Sequence, residues 1–338
     1  MSAIEPFLRR LPKAELHLHL EGTIRPETVV ELSRRHDKIP LTIEQARAFY
    51  NFTDFTGFIM GFRSVTERLV TPEDYALVAT RMMEDLAAQG VVHAEVYISI
   101  GVIYLWRNHA EGAVEPIFAA LEAAREEATK RLGLSLYWIF DAVRHFPPGQ
   151  AERVFRDAAR LRRQYPSIIG IGLGGDERQC GSEPFRAMYA EAAEQGLRLT
   201  NHAGETTGPE AIREALSIGS ERIGHALSAS RDFHLMEELR ERRVPLELNP
   251  TSNVRTGLCA NFAAHPLRQY FDKDLLITLN SDDPAFFGSG ILNEYLLAHA
   301  EQGFTEDELR TLASNSIRAS FLPESEKAHW IARIHSTL

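Results

Sequence analysis

Eight short β-prone runs recur along this chain, and their alternation with longer amphipathic stretches restricts its fold more than any other feature. The runs are AELHLH (14–19), VVHAEVYIS (91–99), LSLYWIFD (134–141), IIGIGLGG (168–175), RLTNHAG (198–204), RIGHAL (222–227), PLELNP (245–250) and LLITLNSDDP (275–284). Helix-like segments are expected at 72–89, 111–132, 150–165, 183–196, 208–219 and 230–243, from their composition and 3.6-residue periodicity. Strand and helix in alternation imply a parallel sheet. Eight strands fit a closed (β/α)8 TIM barrel better than an open doubly wound sheet. HLHLEGTI, after the first run, lacks the GxGxxG of a dinucleotide fold, and the glycines at 170–175 lead into Asp176-Glu177 rather than a phosphate-cradling helix.

A length of 338 residues exceeds the usual single core. No linker or repeat divides it, so residues 1–338 are expected to form one barrel domain. The stretch from about 23 to 72 is too long for a loop and one helix. It is expected to place extra helices over the C-terminal mouth as a lid. There Phe52, Phe55, Phe58 and Phe62 recur at helical spacing, which suits core packing and equally an apolar gate.

Composition excludes several function classes. The net charge of -10 is spread without blocks, which argues against nucleic acid or an anionic membrane as partner. Cys180 and Cys259 are far apart and outside any CxxC, so a reducing cytoplasm is the expected home. The first fifteen residues lack the roughly 7–15-residue apolar region of a secretory signal. His93, Glu95 and Ser99 interrupt the most apolar stretch, 91–106, so no membrane span is expected. The oligomeric state is left open.

The polar residues gather where such a barrel builds its active site, at the C-terminal strand ends. His17 and His19 close the first run, His202 the fifth, His225 the sixth, and Asp282 and Asp283 the eighth. Residues two apart on a strand share a face, so both imidazoles of HLH can enter the mouth. Burying two imidazoles on one face is costly unless each finds a partner, and a divalent cation satisfies both. With His202 and Asp282 the set gains a third nitrogen and a carboxylate, leaving one position for water, the pattern of a hydrolytic zinc centre with one ion per chain. Glu205 then suits a proton-shuttling acid, and His225 a group that holds the water. Gly174 and Gly175 allow close approach of a ligand to the backbone.

ELHLHLEG, LGGDE, NHAGE, RIGHAL, NPTSN and NSDDP, in this order over residues 14 to about 290, resemble the adenosine/adenine deaminase family, zinc-dependent barrel aminohydrolases of 6-aminopurines. The resemblance implies that His17, His19, His202 and Asp282 bind zinc. It implies that Glu205 protonates N1 while water adds to C6, and that His225 orients and helps deprotonate that water. Asp283 would hydrogen-bond N7 and the Gly175 backbone N3. The Cys-rich base deaminases are excluded, because no PCxxC is present. A binuclear amidohydrolase would need a lysine at the end of the fourth strand, and GIGLGGDE has none. A barrel that had lost its chemistry would lack a ligand or the acid, and none is missing.

Substrate signals are mixed. Nucleoside-acting relatives carry Asp where this chain has Glu21, and Glu21 with NSDDPAFFG resembles the adenine-acting branch. TSNVRTG and AHPLR resemble the nucleoside branch, as do Arg144-His145 with Pro147-Pro148. Asn249 stands where the family usually has Cys. Members acting on 6-amino-6-deoxyfutalosine, an adenine nucleoside with a carboxyphenyl group, combine both sets of features. In that reading Glu21 is a substrate contact, Arg144 pairs the distal carboxylate, and Tyr97–Trp106 walls an aromatic-sized pocket.

Overall fold

The chain, seen as a computed structural model that describes residues 3–107 and 114–337, builds eight parallel strands in sequence order. They are β1 (Lys13–His19), β2 (Val91–Ile98), β3 (Ser135–Val143), β4 (Ile168–Gly174), β5 (Arg198–Ala203), β6 (Arg222–His225), β7 (Leu246–Leu248) and β8 (Ile277–Leu279). The ring closes where Leu18 bridges Asp282, with Asp282 N donating to His17 O at 3.0 Å and His19 N donating to Asp282 O at 2.9 Å. Every residue of β1 is buried, as expected of parallel strands covered on both faces. This is the (β/α)8 barrel that the alternation implies.

The expected helices form close to where periodicity places them. Pro72–Ala88 starts at a capping box in which Thr71 and Asp74 satisfy each other's backbone N–H. Val114–Leu132 covers most of the expected 111–132, residues 111–113 lying outside the described ones. After β8 come Ile291–Gln302, Glu306–Ala319 and Glu324–Ser336, which the strand-centred reading passes over. The second of these packs where the barrel closes, and its Ser316 Oγ accepts from Ala14 N at 2.9 Å.

Between β1 and Pro72 lie three helices, Pro26–His36, Ile43–Ala48 and Phe55–Thr66. Asp54 caps the last by accepting from Gly57 N. Its Phe58 ring meets Phe286 and Phe287, at 5.6 and 5.2 Å between centroids, just after β8. The opposite end of the barrel is closed by buried Lys13, whose Nζ donates to the carbonyls of Leu8, Leu11 and Gln89 at 2.8, 2.9 and 2.8 Å.

Candidate active site

The barrel brings together the residues that the strand ends single out. His17, His19, His202 and Asp282 are all buried, and one ligating atom from each lies within 4.8 Å of the others. Individual separations are 3.2 Å between His19 Nε2 and His202 Nε2, and 3.5 and 3.4 Å from Asp282 Oδ1 to His17 Nε2 and His19 Nε2. His17 Nε2 is buried with no hydrogen-bond partner, so the donor set fits a metal ion on geometry and on chemistry. Burial holds His202 well below the ordinary imidazole range and brings His19 down to about 4, which keeps their lone pairs free for a cation. At His17 burial acts downward too, but Asp282 and Glu247 raise its pKa to about 10. Two carboxylates thus call for positive charge at that ring.

Backbone conformation aims several of these groups. Asp282 has φ 63°, His225 63° and Ala226 47°, left-handed values that are uncommon outside glycine. Such strain gathers at functional sites, where the surrounding structure sustains it. It turns His225 at the end of β6 so that Nε2 lies 3.7 Å from Glu205 Oε1 and 3.8 Å from Asp282 Oδ2. Gly175 has φ 90°, and a Cβ there would stand 2.8 Å from His145 Nδ1, so only glycine presents its bare backbone at this point.

Two adjacent aspartates are driven apart in acidity. Burial opposes ionisation of Asp282, yet His17, His225 and His19 hold it well below the usual carboxylate range. Burial and the charge of Asp282 push Asp283 well above that range. Glu205 also rises well above, through burial and then Asp282 and Glu177. A shift in that direction favours the protonated form that a general acid needs.

The cavity beside these groups is lined at its inner end by His19, His202, His225 and Asp282, with Glu205, Asp283 and Gly175 on its walls. Apolar side chains complete the lining: Phe55, Phe58, Ile59, Phe62, Val102 and Phe146. Phe52 instead packs on Phe58 and Phe287. Within Tyr97–Trp106, Ser99 and Val102 reach the cavity while Tyr97 lies under His17 and His19. The side chain of Trp106 lies outside the described residues.

Two expected substrate contacts sit differently. Arg144 is not among the cavity-lining residues. It is buried, and its guanidinium donates to Cys180 O, Asn201 Oδ1, His202 O and Leu173 O at 3.2, 2.9, 2.5 and 3.3 Å. Through these bonds it braces β4 and β5. Glu21 is 1% exposed and also absent from the lining, with Oε1 accepting from Ser99 N at 3.1 Å.

Three residues have roles that the sequence reading does not assign. Glu247 on β7 accepts from His17 Nδ1 at 2.7 Å and is ion-paired with Arg222, whose Nε stands 2.6 Å from Oε1, fixing the ring whose other nitrogen faces the cluster. Asn249 lies 3.3 Å from His225 Nδ1 through its amide nitrogen. Glu177 of LGGDE receives the backbone N–H groups of Gly204, Glu205, Thr206 and Thr207 at 2.7, 3.0, 2.9 and 3.2 Å. Four consecutive donors on one carboxylate pin the turn that carries Glu205. Glu177→Gln places an amide against those donors and is expected to lower kcat about 10- to 100-fold with KM within about 3-fold. Steady-state kinetics check this, and an unchanged kcat would show the turn holds without its anchor.

A (β/α)8 barrel with three imidazoles and an aspartate converging at its strand ends, beside a buried glutamate, defines a metal-dependent hydrolase. This chain belongs to the adenosine deaminase family, whose sequence model matches residues 12–337, and it is a purine aminohydrolase. It is 37% identical to an aminodeoxyfutalosine deaminase from Streptomyces avermitilis over 335 residues, 98% of this chain and 92% of that protein. The crystal structure of an adenine deaminase from Arthrobacter aurescens superposes with a TM-score of 0.89 at 33% identity, covering 96% of this chain and 98% of that one. An amidohydrolase from Burkholderia ambifaria, solved with bound zinc, gives a TM-score of 0.90 at 25% identity, covering 99% and 93%. Among the described residues no helix is long and apolar enough to cross a membrane.

Proposed function

We propose that this enzyme deaminates a 6-aminopurine nucleoside of the 6-amino-6-deoxyfutalosine type, using one zinc ion held by His17, His19, His202 and Asp282. The observation that carries the reading is the convergence of those four side chains within 4.8 Å, in a cavity that also holds Glu205 and His225. Three nitrogens and one oxygen suit zinc, and the Burkholderia ambifaria relative was solved with that metal. When bound, such an ion supplies Lewis acidity that brings water ionisation towards neutral pH.

The chain's own groups then do the following. Addition of water at C6 breaks ring aromaticity and sends electron density to N1, and protonated Glu205 delivers its proton there. Nearby His225 orients the incoming water and takes a proton from it. Asp283, protonated, donates a hydrogen bond to N7, and the Gly175 backbone meets N3. Collapse of the tetrahedral centre breaks the bond from C6 to nitrogen, and ammonia leaves with a proton returned from the site. Phe55, Phe58 and Phe62 shield this chemistry from bulk water.

The nucleoside form is favoured by the apolar part of the lining, which suits an aromatic substituent beyond the sugar, and by the Streptomyces avermitilis relative's activity. Free adenine is the second reading, favoured by the Arthrobacter aurescens structure. The two are separated by steady-state assay of 6-amino-6-deoxyfutalosine, adenosine and adenine, followed by the ultraviolet change from aminopurine to oxopurine. The expected outcome is a kcat/KM at least about 10-fold higher for the aryl-bearing nucleoside than for adenine, the worth of one well-buried contact. Equal or higher activity on adenine would overturn the nucleoside reading.

A further inference from the structure

The cavity contains a carboxyl group for which the reaction above has no task. Asp141, on β3, lines the cavity, is 3% exposed, and no donor among the described residues reaches its Oδ1. The neighbouring strand is bare beside it. Asp141 is paired with Gly172 and Val143 with Gly174. A Cβ on Gly172 would stand 2.8 Å from Asp141 Oδ1, and one on Gly174 2.9 Å from Oδ2. Two glycines of the GIGLGG run therefore make room for this carboxyl. A buried polar atom left unpartnered costs stability that a ligand's hydrogen bond would restore.

Strand order indicates which part of a bound purine lies there. Followed from C6, the ring perimeter runs N1, C2, N3, C4, N9, C8, N7. In the pose proposed above, N1 faces Glu205 after β5, N3 faces Gly175 after β4, and N7 faces Asp283 after β8. Around the closed barrel the strands follow in the same sense: β5, β4, β3, β2, β1, β8. N9 falls between N3 and N7, so its substituent faces the arc from β3 to β1. Asp141 stands in that arc, and Glu21 is held in it by Ser99.

We propose that Asp141 is a specificity residue that hydrogen-bonds the vicinal hydroxyls of the sugar on N9, selecting a nucleoside over the free base. The inference rests on the nucleoside reading given above. A carboxyl group serves in either protonation state. Ionised, it accepts from both hydroxyls; protonated, it donates to one and accepts from the other. A free base has no such pair to offer.

The test compares wild type, Asp141→Asn and Asp141→Ala on adenosine, 2′,3′-dideoxyadenosine and adenine, with metal content measured for each protein. Wild type is expected to prefer adenosine to the dideoxy compound about 10-fold or more in kcat/KM. In Asp141→Ala that ratio should fall to about 1–2, with adenosine losing about 10-fold more than adenine does. Asp141→Asn, whose amide both donates and accepts, should retain part of the preference. Persistence of the wild-type ratio in Asp141→Ala would overturn the proposal, and so would an equal loss on adenine, which would put the contact on the ring. Loss of metal in both variants would overturn it as well, by assigning Asp141 to the upkeep of the metal cluster. A wild-type enzyme active on adenine and on no nucleoside would instead overturn the underlying reading before any variant is compared.

Discussion

Glu205→Gln is expected to lower kcat by at least ~10² while the protein keeps its metal and its fold. The substituted amide has the size of the acid and the same main-chain anchorage, since Glu177 bonds to backbone N–H groups that the change leaves untouched. Its N–H can still point at N1, so binding should persist with KM within about 5-fold, a shift of about 1 kcal/mol. What it cannot do is give up a proton as electron density reaches N1. Burial and the nearby charges of Asp282 and Glu177 push the Glu205 carboxyl towards its protonated form, and a proton that the carboxyl can give up is what the variant lacks. Steady-state kinetics with metal analysis on the same preparation decide the matter. Full turnover would remove Glu205 from the acid role and shift attention to His225, whose Nε2 lies 3.7 Å away.

Much of this arrangement is legible in the sequence because a barrel maps chain order onto space. Once eight runs are recognised, His17, His19, His202 and Asp282 lie at strand ends, and closure of the ring carries β1 to β8, where Asp282 pairs with its backbone. Local patterning does not contain the rest. His225, Ala226 and Asp282 take left-handed backbone conformations that their residue types do not announce, as a glycine would. Glu247 and Arg222 look like ordinary strand charges, yet both are buried inside the barrel, with Glu95 of β2 as the further partner of Arg222. Their partners come from other strands, so no spacing rule within a strand reveals them. Arg144 is the reverse case. Its position at a strand end suggests a ligand contact, but neighbouring carbonyls of β4 and β5 claim its donors.

Removal of a metal ligand should separate His17 from His19, although both variants lose the ion and all measurable turnover. His17 bonds to Glu247 on its far side at 2.7 Å, and both side chains are fully buried. His17→Ala strands one edge of a buried carboxylate, leaving it to Arg222 and Tyr97. Breaking such a pair from one side costs about 3–5 kcal/mol. Among the described residues no carboxylate pairs with His19 outside the cluster, where its Nε2 meets Asp282 and His202. His19→Ala should therefore melt like wild-type protein stripped by a chelator, since both forfeit only the stabilisation that metal binding confers on the folded state. His17→Ala should melt roughly 4–7 °C below them at this chain length. Thermal unfolding of the three metal-free proteins in one buffer measures the difference. Coincident melting of His17→Ala and His19→Ala would mean that Glu247 does not depend on His17, and the carboxylate–imidazole–metal line through the barrel would lose its support.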